Sequence, residues 1–245
     1  MAPVMNSSYW YFNAYTGLFF VIPWLNRLVR SCGRRELNGL MLTMFLVFSC
    51  YGTFAKMNAD VFVLKSGYSF LWLALIYLVG AWMKKHQIVE RYNKKQAIVL
   101  ILFLTMLSML TLYFPEPFRN ILISYTSPTI VLIAVAYMVL FSKLQFNVAG
   151  QKLIQCFSPA AFGVYLIHVH PCVWVYFMKK RFTFIADSSA WVLPFKVIGY
   201  AAIVFVVCIL IEKVRLILFQ VLKINEAVGK LDGVFAKIGR KFLGE

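Results

Sequence analysis

Charged residues interrupt this chain so rarely that it divides into seven uncharged runs, residues 1–26, 37–55, 66–83, 96–115, 120–142, 153–178 and 197–211. A helix needs roughly 20 apolar residues to cross a bilayer, and a helix buried in a soluble core usually shows fewer in a row. Most of the runs meet that length, and the last lengthens if the Lys196 stem lies in hydrocarbon with its ammonium at the surface. With 62% hydrophobic and 14% charged residues, the chain lacks the polar shell that would hide such helices inside a soluble fold. The expected architecture is all-α: a polytopic transmembrane helical bundle of about seven spans plus a C-terminal amphipathic helix. No Pro/Gly/Ser-rich linker, low-complexity tract or internal repeat divides the chain. The reading is one bundle domain, residues 1–211, and a cytoplasmic basic tail, residues 212–245.

Position decides what the net charge of +16 means. In a multi-spanning chain, excess Lys and Arg marks cytoplasmic connections and attraction to anionic lipid rather than nucleic acid. An N-terminus on the outside leaves only Lys56, Lys65, Arg119, Lys179, Lys180, Arg181 and Lys196 outside, and puts the rest of the 25 basic residues inside. The cluster Lys179, Lys180, Arg181 resists that scheme, so either a re-entrant or interfacial turn lies there or the topology differs locally. No basic n-region or cleavage pattern marks residues 1–8 as a removable signal, and the first helix is expected to stay. Five cysteines, Cys32, Cys50, Cys156, Cys172 and Cys208, are scattered without metal or redox spacing and are expected to be buried free thiols.

Residues 84–95 are the most charged connection, with Glu90 as their only acid. They read either as a positive-inside anchor or, with Arg34 and Arg35 on the same side, as a field that collects an anionic, nucleotide-bearing substrate from the cytosol. Beyond Glu212, apolar positions recur at Val228, Leu231, Phe235, Ile238 and Phe242, a period that suits a cationic helix lying along the cytoplasmic leaflet or binding a partner.

Polar groups at membrane depth are costly enough to be candidate functional groups. His168 and His170 stand in the sixth run beside Pro171, which disfavours helical geometry at His170 and brings both toward a helix end. On a continuous helix Tyr165, His168 and Cys172 share a face, while His170 turns away by about 200 degrees. That spacing does not make a metal pair, and no further ligands are patterned nearby, so no metal site is expected. A tyrosine and a histidine on one face could hold a hydroxyl-bearing acceptor or relay its proton; a structural hydrogen-bonding role for His168 is the competing reading. Tyr125, Ser127 and Pro128 at the start of the fifth run are further candidates.

Taken in order, WYFNAYTGLFFVIPWLN (residues 10–26), GYSFLWLALIYLVG (67–80), YTSPTIVL (125–132) and above all FGVYLIHVHP (162–171) resemble the later helices of the acyltransferase 3 family. Glu212, Lys213, Arg215, Leu216 and Phe219 extend the likeness, which covers residues 9 to about 224. The resemblance implies an integral plasma (inner) membrane enzyme, multi-pass, with no bound cofactor. Such an enzyme moves an acyl group, usually acetyl from acetyl-CoA as co-substrate, onto a hydroxyl of a cell-surface polysaccharide or glycolipid. It gives the basic face a meaning, since Arg34, Arg35, Lys84 and Lys85 would grip the phosphates of coenzyme A, with Tyr125 and His170 contacting substrate. His168, at the family's YLIH position, and Tyr165 become the catalytic candidates. Members of that family carry a histidine and arginine motif in earlier helices, and no histidine precedes His86 here. The expectation is a shortened enzyme, or one that needs a second chain to supply helices. A transporter of a glycolipid or small anion and an inactive scaffold stay open as alternatives.

Overall fold

The computed structural model describes residues 9–55, 62–116 and 118–224. Those residues are helical or in turns, with no strand among them, and form two compact units, Met1–Gln145 and Phe146–Glu245.

The first unit contains α1 (Trp10–Ser31), α2 (Arg34–Ala55), α3 (Phe70–Lys85), α4 (Lys94–Leu110) and α5 (Pro128–Ser142). Their starts follow capping chemistry. The Glu36 carboxylate accepts the Gly33 N–H at 2.6 Å, and Ser69 Oγ accepts the Trp72 N–H at 3.2 Å. Asn93 and Gln96 exchange side-chain and backbone bonds at 2.9 and 3.0 Å, and Pro128 takes the first position of α5. Helix α1 runs unbroken through Pro23, and α2 widens into π-helical turns over Phe45–Tyr51. α4 packs along α5 and α1 along α3. One core cluster joins Leu64, Trp72, Leu75 and Val131, another Met83, Ile88, Ala97 and Val139.

Length separates these helices from the sequence expectation. By length and apolarity, two helices among the described residues can cross a bilayer, Arg34–Ala55 and Lys94–Tyr113. A third counts if Val148–His168 and Pro171–Met178, bent by 64°, are one broken span. Seven spans are therefore not found helix for helix. The run 120–142 yields only 15 helical residues, because the chain before Pro128 is spent on a polar turn. The Leu122 carbonyl accepts from Ser127 Oγ at 2.9 Å and Thr129 Oγ1 at 2.6 Å, and buried Ser49 Oγ donates to the Thr126 carbonyl at 2.7 Å. Non-helical backbone is tolerated at depth only where the protein itself satisfies its carbonyls, and these hydroxyls do so.

The second unit contains α6 (Val148–His168), α7 (Pro171–Met178) and α8 (Leu193–Val221). α6 packs on α8 around Ala160, Val164, Cys208 and Ile209. The run 153–178 is not one straight span, since it breaks between His168 and Pro171. α8 passes without interruption through residues 211 and 212 and ends at Val221. The tail positions from Val228 to Phe242 lie outside the described residues.

Large apolar side chains cover the helix exteriors: Phe20, Met106 and Phe195 are 70, 70 and 76% exposed. Apolar surface on this scale is a liability in water and the ordinary finish of a helix in lipid. Not all the thiols are buried as expected, since Cys156 and Cys172 are exposed while Cys208 is buried.

Candidate functional site

His168 closes α6. The residue before a proline is pushed out of helical geometry, and His170 accordingly sits at φ −57°, ψ 131°, where its Nδ1 accepts the Cys172 N–H at 3.2 Å and caps α7. The 64° bend between α6 and α7 removes Cys172 from the face that a continuous helix would share with Tyr165 and His168. Tyr165 and His168 remain neighbours, with ring centroids 6.1 Å apart, edge to face.

His168 Nδ1 lies 2.7 Å from the Val164 carbonyl oxygen. A carbonyl only accepts, so Nδ1 carries the proton, and in the neutral ring Nε2 keeps its lone pair. One ring nitrogen is thus tied to the backbone while the other is available as a proton acceptor. The ring lines a cavity of about 690 Å³ bounded by α6, α8 and the chain after α7. Its other lining side chains are apolar except for Tyr200. A pocket of this size suits a small-molecule substrate, and scarce polar groups make each one present decisive for orientation.

Glu212 is a polar group whose part in this unit the sequence reading did not anticipate. It is 4% exposed in α8 and binds the Arg215 guanidinium through both carboxylate oxygens, with Arg215 Nε donating at 2.8 Å. Arg215 also lies over the Phe219 ring, 4.5 Å from its centroid. The Glu212 carboxylate packs directly on Gly163 of α6, where any Cβ would overlap its Cγ and Cδ. Among the described residues this is the one ion pair. A single acid in a strongly apolar helix, three residues before an arginine, was the available signal.

In the first unit, Trp82 Nε1 donates to Asn38 Oδ1 at 2.7 Å. That bond ties the last turn of α3 to the first turns of α2, so Arg34, Arg35, Lys84 and Lys85 gather at one end of the unit. Arg34, Arg35 and Lys84 are exposed. Lys85 is partly committed: Nζ donates to the Val29 carbonyl at 2.6 Å and to the Cys32 carbonyl, capping α1 and leaving one N–H for a ligand. Replacing Trp82 by phenylalanine is expected to cost about 0.5–1.5 kcal/mol, read as a lower thermal midpoint in detergent at unchanged helicity.

Tyr125 belongs to the other end, near the starts of α1 and α3. Its ring stands edge-on to Tyr68 at 5.4 Å, and Tyr68 in turn to Trp10 at 4.5 Å. Gly67, at φ +100°, allows that approach, since a Cβ there would come within 2.7 Å of Tyr125 Cβ.

The model of a family described as "Acyltransferase domain" matches residues 2–213. No curated protein and no solved structure matches the chain.

Proposed function

This chain belongs to the acyltransferase 3 family of membrane acyltransferases, and from that premise we propose that it transfers an acetyl group from acetyl-CoA to a hydroxyl of a cell-surface polysaccharide or glycolipid. The enzyme works in the plasma (inner) membrane, with all seven apolar runs crossing it. Each run carries one of the helices α1 to α6 or α8, which supports that count.

The observation that carries the reading is the fixed imidazole of His168 in an apolar cavity. A hydroxyl attacks a thioester poorly until a base removes its proton. His168 Nε2 takes that proton as the acceptor oxygen bonds to the acyl carbon. The carbon–sulfur bond then breaks, the CoA sulfur leaves with the electron pair, and the imidazolium can return its proton to it. Tyr165 steadies the ring edge-on and His170 contacts the acceptor, while Tyr125 is a substrate contact of the first unit. Arg34, Arg35, Lys84 and the remaining N–H of Lys85 meet the phosphates of CoA, the arginines through paired N–H groups. The proposal includes a second chain that lends further helices.

The test is transfer of radiolabelled acetyl from acetyl-CoA to a panel of polysaccharides and glycolipids. The purified chain is assayed in liposomes, alone and co-expressed with candidate partners. Base-labile label in the glycan is the expected result; its absence across the panel under both conditions overturns the proposal.

A further inference from the structure

The first unit holds a second cavity, also about 690 Å³, walled by α2, α3, α4 and α5 and lined by side chains the acyl-transfer chemistry does not use. Its floor is buried and apolar, including Ala97, Val131, Ala136 and Val139. Its rim carries Leu42, Leu100 and Leu132, exposed by 60, 40 and 38%. A cleft with an apolar open edge, in a protein whose exterior is apolar, fills from the bilayer rather than from water. From Val131 to Val139 the helical rise is about 12 Å, a slot whose length suits an alkyl chain.

Polarity is confined to one end, at Asn38, Trp82, Tyr92 and Gln96. Both amides there have their oxygens occupied: Asn38 Oδ1 by the Trp82 indole N–H, Gln96 Oε1 by the Asn93 backbone N–H. An indole and a backbone N–H can only donate, so the orientation of each amide is set and their NH₂ groups are left to face a ligand's acceptors. Beside them in sequence stand Arg91, Lys94 and Lys95, all exposed and without a carboxylate partner among the described residues. Lys94 and Lys95 occupy the first turn of α4, where the helix dipole disfavours cations and no acid compensates. An anion at this end would relieve that repulsion.

We propose that this cleft is a binding site for one anionic phospholipid. One acyl chain lies in the slot, the ester oxygens accept from Asn38 and Gln96, and the phosphate sits among Arg91, Lys94 and Lys95. The site is independent of the acyl-transfer reading, and neither stands or falls with the other.

The test places the full chain in nanodiscs of equal phosphatidylglycerol and phosphatidylcholine and follows retained lipid by native mass spectrometry. One phosphatidylglycerol is expected to stay bound, preferred by about tenfold or more, since each basic residue near a lipid surface is worth about 1 kcal/mol. Leu132→Trp, which fills the slot from its exposed rim, should remove that adduct. Neutralising the rim with R91Q, K94Q and K95Q together should bring the two lipids to parity. On the wild-type chain, a phosphatidylglycerol carrying a photoreactive group in its tail should crosslink within residues 38–45, 79–100 or 131–139. Equal retention of both lipids by the wild type, crosslinks confined to other segments, or a second protein chain in place of lipid overturns the proposal.

Discussion

Alanine at His168 is expected to lower acetyl transfer by about 100- to 10,000-fold, the range supplied by a positioned general base. Among the described residues the imidazole has one hydrogen bond, from Nδ1 to the Val164 carbonyl four residues earlier in the same helix. That bond can be lost with little consequence for folding, because the carbonyl also accepts within the helix. The loss should fall on kcat rather than KM for acetyl-CoA, since the donor is held by other residues. Glutamine, which can keep a donor for the Val164 carbonyl but cannot act as a base near neutral pH, should be as inactive as alanine. A folded H168A protein with near-normal kcat would reduce His168 to a structural hydrogen-bonder.

Gly163→Ala is expected to destabilise the second unit by about 1–3 kcal/mol, as overpacking of a tight contact does. The added methyl overlaps the Glu212 carboxylate, which is 4% exposed and held by Arg215. To make room, the carboxylate must leave its guanidinium, and a buried charge parted from its partner is costly. A double-mutant cycle separates this mechanism from a general effect of alanine in a helix. In a Glu212→Ala background the space is vacant, so Gly163→Ala should become nearly neutral. The thermal midpoint in detergent reads both; additive losses would show that Gly163 and Glu212 do not meet.

That each apolar run carries a helix was legible from charge spacing, because charged residues separate the runs, although α8 continues past Glu212 to Val221. The helix lengths were not. The fifth run is continuous in sequence, but its first part forms a turn whose stability depends on Ser49, distant in sequence and donating to the Thr126 carbonyl. Pro171 announced that His170 would leave the helix, and it does; the size of the bend there, 64°, is not set by the proline alone.

Among site residues the same division holds. The basic character of Arg34, Arg35, Lys84 and Lys85 was plain, and so was their place at the ends of runs. That Lys85 also caps α1 depends on acceptors at Val29 and Cys32, more than 50 positions away. Glu212 entered the sequence analysis only as part of the likeness to the family, and its fit on Gly163 is a property of how α6 meets α8. Local rules carried the existence and order of the helices; their lengths and the pairings between elements needed the folded chain.

Sidedness of donor use tests the account most directly. In sealed vesicles, cysteines placed at Arg34 and Lys84 in separate reporter variants fix which face of the membrane the basic end occupies, through an impermeant thiol reagent. The wild-type chain, reconstituted in the same orientation, should then consume labelled acetyl-CoA supplied at that face and leave it untouched when supplied at the other. Consumption only from the opposite face, or a chain that stays soluble without detergent, would contradict a lipid-embedded acyltransferase that takes its donor at its basic end.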